Sequence, residues 1–374
     1  MKILYLLTLF PTPNNFSVGI FNYHRVQKLK SMGCNIFVVK YNNILNRHLK
    51  YSIKKNYVIN SIPVTILNTL TFPFVFSYTL TLFLLKRFIK KNKIDLIQTD
   101  LIINGYLGAL LKEKLKIPLV VTAHGSDIHT LPAKSHSLKK KLLYSLEKAD
   151  KVIFVSHFLL NKAKKLGYND KNAIVIPNGV DLSLFNINNK IKKEKYILYA
   201  GNLFSIKGVD RLPYIYKNII KYNPNIPLWI VGSGNLQKKI EKKFEDLGLL
   251  KNVSFVGKVK QKQLSHILRK AKVLLLPSRN EGYPNIITEA NACGVPVVAS
   301  DVGGVSEALG QGGLLIQEGK TFEEDFAKAV IQLYDNPIQP QILFNRVKEK
   351  SWEQVAIKER TIYQSIIKRN IESQ

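Results

Sequence analysis

Two acids stand close together in the basic chain within "SRNEGYPNIITEA", residues 278–290: Glu281 and Glu289, with seven residues between them. Gly282 and Pro284 break the backbone after Glu281, so that acid belongs to a loop. Asn285 fits a helix N-cap, and Glu289 then falls in the first turn or so of the helix. A helix start offers N–H groups without helical partners and the positive end of the backbone dipole, which suits a diphosphate. A carboxylate one turn further in can accept bonds from both hydroxyls of a ribose, as an acid does in dinucleotide-binding folds. The plainer reading is two acids that favour a helix dipole and are otherwise idle. The residues alone leave both open.

Other stretches end strands in the same way. In "YILYAGNLFSIKGVD", residues 196–210, Gly201-Asn202 closes a strand and Lys207-Gly208 opens the next helix. A lysine there could reach a diphosphate as a point charge, although a lone lysine is more often a surface residue. "IVGSGN" places Gly232 in a glycine turn after a strand, but no complete GxGxxG follows it or the first strand, which argues against a nicotinamide dehydrogenase. "VTAHGSDIH" ends a strand with His124 and, three residues on, Asp127. His124 is either aimed at a ligand or a buried structural histidine. Gly19 in "FSVGIF" precedes a helix, where bare backbone could approach a phosphate. There is no DxD pair for a divalent metal, no GxSxG elbow and no Walker A sequence.

These residues need a scaffold that presents strand ends. With 374 residues the chain is too long for one ordinary core, and two domains are expected. Apolar runs of strand length alternate with helical stretches: Ile3–Leu9, Ile36–Tyr41, Ile62–Leu67, Leu96–Thr99, Leu119–Ala123, Val152–Val155 and Ala173–Ile176, with helices over Ile20–Met32, Phe74–Lys91 and Leu138–Ala149. After the polar stretch Ser183–Lys195, the best linker candidate, the pattern restarts with Tyr196–Ala200, Leu228–Val231, Val253–Val256, Val273–Leu276 and Val297–Ser300. Continuous rather than alternating apolar runs mark parallel strands buried on both faces. The fold class is therefore α/β, with two doubly wound parallel sheets and ligands beyond the carboxyl ends of the strands.

The net charge is +30, with 27 Lys/Arg against 8 Asp/Glu in residues 1–185 and 29 against 18 in residues 186–374. Such an excess fits an anionic partner, or lysines spread over solvated helix faces. Cys34 and Cys293 lie far apart with no CxxC or His/Cys cluster, so both read as core thiols in a reducing compartment. Residues 2–10 are too short for a signal peptide and read as a first strand. Asn56–Leu85 carries no charge, but Asn60, Pro63, Asn68 and Pro73 interrupt it, so a membrane span is the minority reading.

Taken in order, Gly19, "HGSD", "PNGVD", "GNLFSIKG", "EGYPNIITEANACGVPVVASDVGGVSE" and the helix from Trp352 resemble family-4 retaining glycosyltransferases of the GT-B fold. The resemblance spans nearly the whole chain. It implies two Rossmann-like domains facing a cleft: residues 1–185 for the acceptor, completed by a C-terminal helix (352–370) that crosses back, and 186–351 for a nucleotide-sugar donor. It implies that Lys207 holds the donor diphosphate, Glu289 the ribose and Glu281 the sugar hydroxyls. Backbone N–H groups at Asn285, Ile286, Ile287 and Gly19 would meet phosphates, Gly257 and Lys258 would flank the base, and Gly232 would lie in the donor site. His124 would stand beside the reacting sugar, with Asp127 in support. Two departures appear. Asn202 stands where the family often has arginine, so Arg279 is a candidate substitute; and Val18-Gly19 supplies one glycine where the family's loop often has two.

The expected activity is retaining transfer of a hexose-type sugar from UDP or GDP to a hydroxyl, in cell-envelope polysaccharide or glycolipid synthesis, with no cofactor and no metal. The expected partners are the nucleotide sugar, a sugar or lipid-linked acceptor and an anionic membrane, with no nucleic acid. The expected location is the cytoplasm, at the inner face of the cell membrane. The rivals are a GT-B sugar-nucleotide epimerase and a non-catalytic polyanion-binding or membrane-binding protein.

Overall fold

The computed structural model describes residues 1–16, 18–43, 55–69, 76–100, 102–125, 128, 130, 132, 135–188, 190–191 and 193–372. The chain divides into two compact units, Met1–Asn178 with Trp352–Gln374, and Gly179–Ser351.

Unit 1 holds strands β1 (Lys2–Leu7), β2 (Asn35–Asn43), β3 (Tyr57–Ile59), β4 (Ile62–Thr69), β5 (Leu96–Asp100), β6 (Leu119–Ala123), β7 (Lys151–Phe154) and β8 (Ala173–Val175). Its helices are α1 (Ile20–Ser31), α2 (Phe76–Asn92), α3 (Ile102–Leu115), α4 (His136–Lys148) and α5 (His157–Leu166). The sheet order is β3-β4-β2-β1-β5-β6-β7-β8, and every pairing is parallel except the β3–β4 hairpin. Residues 74 and 75, at the expected start of α2, lie outside the described residues.

Unit 2 holds β9 (Ile197–Ala200), β10 (Leu228–Val231), β11 (Val253–Gly257), β12 (Val273–Leu276), β13 (Val297–Ser300) and β14 (Gly313–Ile316). Its helices are α6 (Leu212–Tyr222), α7 (Gln237–Asp246), α8 (Gln261–Lys270), α9 (Asn285–Ala292), α10 (Val305–Leu309), α11 (Phe322–Asp335) and α12 (Pro340–Asn345). The parallel order β11-β10-β9-β12-β13-β14 is the Rossmann order 3-2-1-4-5-6. Every residue of the central strands β9 and β12 is buried, which explains their unbroken apolar runs.

The last helix, α13 (Trp352–Glu372), belongs to unit 1. Trp352, Val355, Ala356, Tyr363 and Ile366 join the core of β1 and α1. Tyr363 Oη lies 3.2 Å from Tyr5 Oη and donates to Gln98 Oε1 at 3.1 Å. Arg25 of α1 and Glu359 of α13, both buried, form an ion pair at 3.2 Å.

The expected linker is not a free connection. Arg269 of α8 donates to the carbonyls of Leu184 and Asn186 and to Asn186 Oδ1, which fastens the first part of Ser183–Lys195 to unit 2. The units part instead at Asn178–Gly179, and Val180 N–H donates to Lys350 O where the chain leaves unit 2 again. Polarity marks Ser183–Lys195, but the carbonyls of Leu184 and Asn186 find a partly buried guanidinium. Cys34 and Cys293 are buried free thiols, as expected.

Candidate active site

In a Rossmann sheet the connections from two central strands leave in opposite directions, opening a crevice at their carboxyl ends. In unit 2 those strands are β9 and β12. The loop after β9 carries Lys207 on a 3-10 turn, Ser205–Lys207, and the loop after β12 carries Glu281. Gly208 joins the two loops. Its φ is +63°, and a Cβ there would stand 1.7 Å from Pro277 O, so only glycine fits. Arg279 N–H donates to Ile206 O at 2.9 Å.

This packing brings Lys207 and Glu281 together. Lys207 Nζ donates to Glu281 Oε1 at 2.7 Å, and Ser278 Oγ donates to the same oxygen at 2.8 Å. Glu281 is only 8% exposed, so its charge depends on these two donors. Its carbonyl is held as well: Gly304 N–H donates to Glu281 O at 3.0 Å, and a Cβ on Gly303 would stand 2.0 Å from that oxygen. A cation and a carboxylate thus sit side by side at the switch point, the first able to meet phosphate and the second sugar hydroxyls.

Glu289 lies on α9, the helix that follows. Burial pushes its carboxyl up to about 7. Asn285 is the first helical residue rather than the cap; Pro284 occupies the cap position with extended backbone and no capping side chain. The correction follows from φ: proline at −77° already presets the turn into the helix. Ile287 is fully buried and its N–H donates to Pro284 O, so the helix start is aimed by core packing.

Gly201, Gly232 and Gly257 close three neighbouring strands. Gly232 N–H donates to Gly257 O at 2.9 Å, and a Cβ on Gly232 would lie 1.8 Å from Gly201 O. Gly232 is therefore required by strand-end packing. Lys258 follows Gly257 and is exposed, as is Asn202. Asn202 O accepts from Tyr199 Oη at 2.9 Å. Arg279 makes a two-pronged ion pair with Asp210, both contacts 2.7 Å, and also donates to Ser205 O. The pairing holds the Asp210 carboxyl below its usual range.

In unit 1, His124 follows β6 and is half-buried, its ring 4.4 Å from that of Phe21. Burial, and then the nearby Arg25 charge, hold its imidazolium form well out of the neutral range, so the ring is neutral at pH 7. Asp127 lies outside the described residues. Gly19 caps α1 with φ +68°. A Cβ there would approach the Leu9 carbonyl to 2.4 Å, so the glycine is required by the β1 loop beneath it. Sequence reasoning missed Ser278, whose partner is three residues away, and a buried cluster of Asp100, Asn22 and Asn104. Asp100 ends β5, so its place at a strand's carboxyl end was the available signal. Among the described residues no group of three His, Cys, Asp or Glu side chains is placed to hold a metal ion.

The model of the Glycosyl transferases group 1 family matches residues 182–350, and that of Glycosyltransferase Family 4 matches residues 18–184. An uncharacterized glycosyltransferase of Methanocaldococcus jannaschii is 33% identical over 75% of this chain and 78% of its own. TuaC of Bacillus subtilis, which bears the provisional name of a teichuronic acid biosynthesis glycosyltransferase, is 29% identical over 83% of this chain and 84% of its own. The crystal structure of HepE from Anabaena, in complex with UDP, superposes with a TM-score of 0.77 at 18% identity, covering 98% of this chain and all of that one. Two parallel-sheet units, a switch point carrying Lys207 and Glu281, and a family match on each half lead to one conclusion: this chain belongs to the GT-B glycosyltransferases of the family 4 and group 1 type.

Proposed function

We propose that this glycosyltransferase moves a hexose-type sugar from UDP or GDP to a hydroxyl acceptor with retention of anomeric configuration. The observation that carries the reading is the Lys207–Glu281 pair beside the start of α9. A donor diphosphate takes over Lys207 and the N–H groups of Asn285, Ile286 and Ile287, and the sugar hydroxyls take over Glu281. Glu289 accepts from the ribose hydroxyls, and Gly257 and Lys258 flank the base. The same reading assigns His124 to the reacting sugar and Gly19 to the phosphates. As the bond from anomeric carbon to phosphate oxygen breaks, the acceptor oxygen bonds to that carbon on the same face. Its proton passes to the leaving phosphate. Negative charge grows on that phosphate, so a fixed cation and fixed N–H dipoles lower the barrier.

A screen of UDP- and GDP-sugars by thermal shift tests this, followed by turnover with and without acceptor hydroxyls. One donor should raise the melting temperature by mass action, and nucleotide release should depend on acceptor. Turnover of donor to an isomer without acceptor would replace transfer by epimerisation. Absence of any nucleotide-sugar effect would overturn the reading.

The same proposal places the enzyme at a membrane surface, with a lipid-linked acceptor in envelope polysaccharide or glycolipid synthesis. Helix α2 buries Thr81, Leu82, Leu85 and Ile89 against unit 1. Its other face leaves Leu80 and Phe83 about three-fifths exposed, at 61% and 60%, beside Leu84. Arg87, Lys90 and Lys91 continue that face, and α2 contains no acid. Apolar side chains next to cations suit the interface of an anionic bilayer. Among the described residues no helix is long and apolar enough to cross a membrane.

A further inference from the structure

Unit 1 has a switch point of its own, between β1 and β5, and a buried carboxylate sits in it. Asp100, the last residue of β5, is 1% exposed. Its Oδ1 accepts from Thr8 N–H at 3.2 Å and from Asn104 Nδ2 at 2.9 Å. Its Oδ2 accepts from Asn22 Nδ2 at 3.0 Å. Each asparagine amide is used twice. Asn22 Nδ2 also donates to Leu9 O at 2.8 Å, and Asn104 Nδ2 to Thr8 Oγ1 at 2.9 Å. One side chain thereby ties together the loop after β1, the first turn of α1 and the first turn of α3.

The part so fixed is the ground on which Gly19 stands. The Gly19 backbone presses on the Leu9 carbonyl and Phe10 nitrogen, closer than any side chain allows. Lys40 Nζ donates to Phe10 O at 3.1 Å and Tyr57 Oη to Pro11 O at 2.7 Å, which hold the next two carbonyls of the same loop. A buried carboxylate is costly unless fully partnered, and an apolar residue would fill the space at less cost. Only a carboxylate, however, accepts from three N–H groups without presenting a donor of its own.

We propose that Asp100 is a positioning residue for sugar transfer: it fixes the loop after β1, and through it the direction of the Gly19 helix start. This rests on the reading that Gly19 meets the donor phosphates. The other nucleotide contacts of that reading, from Lys207, the start of α9, Glu289, Gly257 and Lys258, lie in unit 2, so Asp100 acts on turnover far more than on nucleotide affinity.

The test is Asp100→Asn in the full chain, which keeps the shape but turns an amide donor toward donors. Nucleoside diphosphate release from a panel of UDP- and GDP-hexoses gives kcat, and titration with UDP and GDP gives affinity. We expect kcat to fall at least tenfold, nucleotide affinity to stay within twofold, and amide exchange to quicken in residues 9–22 ahead of the rest of unit 1. Asn22→Ala, which removes the donor on Asp100 Oδ2, should lose about threefold in kcat and serves if Asp100→Asn does not fold. Wild-type kcat in these variants, or a loss of kcat matched by an equal loss of nucleotide affinity, overturns the positioning role. Lys207→Ala and Glu289→Gln separate the two readings. If they too leave turnover and affinity unchanged, the transferase site itself is wrong; if they impair the enzyme while Asp100→Asn does not, only the role of Asp100 falls.

Discussion

Lys207 Nζ and Glu281 Oε1 stand 2.7 Å apart, although 74 positions separate them in the chain. The cation that would meet a phosphate is held by the carboxylate that would meet a sugar. A donor bound as proposed would replace this contact at both ends. Lys207→Ala should lower kcat by a hundredfold or more, because the charge it meets is largest in the transition state. The same change leaves the buried Glu281 carboxylate with the Ser278 hydroxyl in place of two donors on Oε1 and should lower stability by about 1–2 kcal/mol. A kcat within threefold of wild type would remove Lys207 from the reaction.

Glu289→Gln should weaken donor binding by about ten- to a hundredfold, since charge-assisted bonds to a ribose become neutral ones. Equal affinity in a folded variant would end the ribose assignment.

Glu289 also sets a pH dependence. Its folded value of about 7 lies above the usual carboxylate value of 4.5. Between those values the fold therefore holds a proton that the unfolded chain releases, and the associated stability is present below about pH 4.5 and lost as pH rises through 7. Glu289→Gln should raise the melting temperature at pH 8 and change it little at pH 4. Donor affinity should run the other way and weaken as pH falls below 7, because the ribose needs the carboxylate. Parallel melting and titration series at pH 5 to 8 check both signs; a flat wild-type profile contradicts them.

Asn202→Ala should cost far less than Lys207→Ala, because Asn202 is exposed and carries no charge. Arg279 is taken up by Asp210 and Ser205, so Arg279→Gln should act through the loop and cost less than Lys207→Ala as well. EDTA should leave the rate within twofold. Strong inhibition by EDTA, or an Asn202→Ala variant worse than Lys207→Ala, would require a different account of the leaving phosphate.

Cosedimentation with phosphatidylglycerol-rich and pure phosphatidylcholine vesicles, at low and high salt, tests the surface of α2. Binding should be confined to the anionic vesicles and weaken with salt. Replacing Leu80 and Phe83 by serine, or Arg87, Lys90 and Lys91 by glutamine, should each reduce it several-fold. Equal partitioning to both vesicle types, or none at low salt, would leave a soluble acceptor as the better reading.

Sequence alone settled what depends on local chemistry. Short unbroken apolar runs such as Val273–Leu276, bounded by turn residues, read as strands buried on both faces, and their alternation with helical stretches points to two doubly wound sheets. Glycines and prolines marked the strand ends, and so placed Lys207, Glu281, Glu289 and His124 beyond the sheets. Tertiary structure decided what depends on partners far along the chain. Arg279 had free choice in the sequence; Asp210, 69 positions away, took it. Ser183–Lys195 read as a linker from its polarity, yet Arg269 fastens its carbonyls to unit 2. Nothing local singles out Asp100; in the fold, donors from three separate segments converge on it. Periodicity records which face of an element is dry. It does not record which polar atom waits on the neighbouring element, because a hydrogen bond is set by distances between segments the chain brings together only when folded.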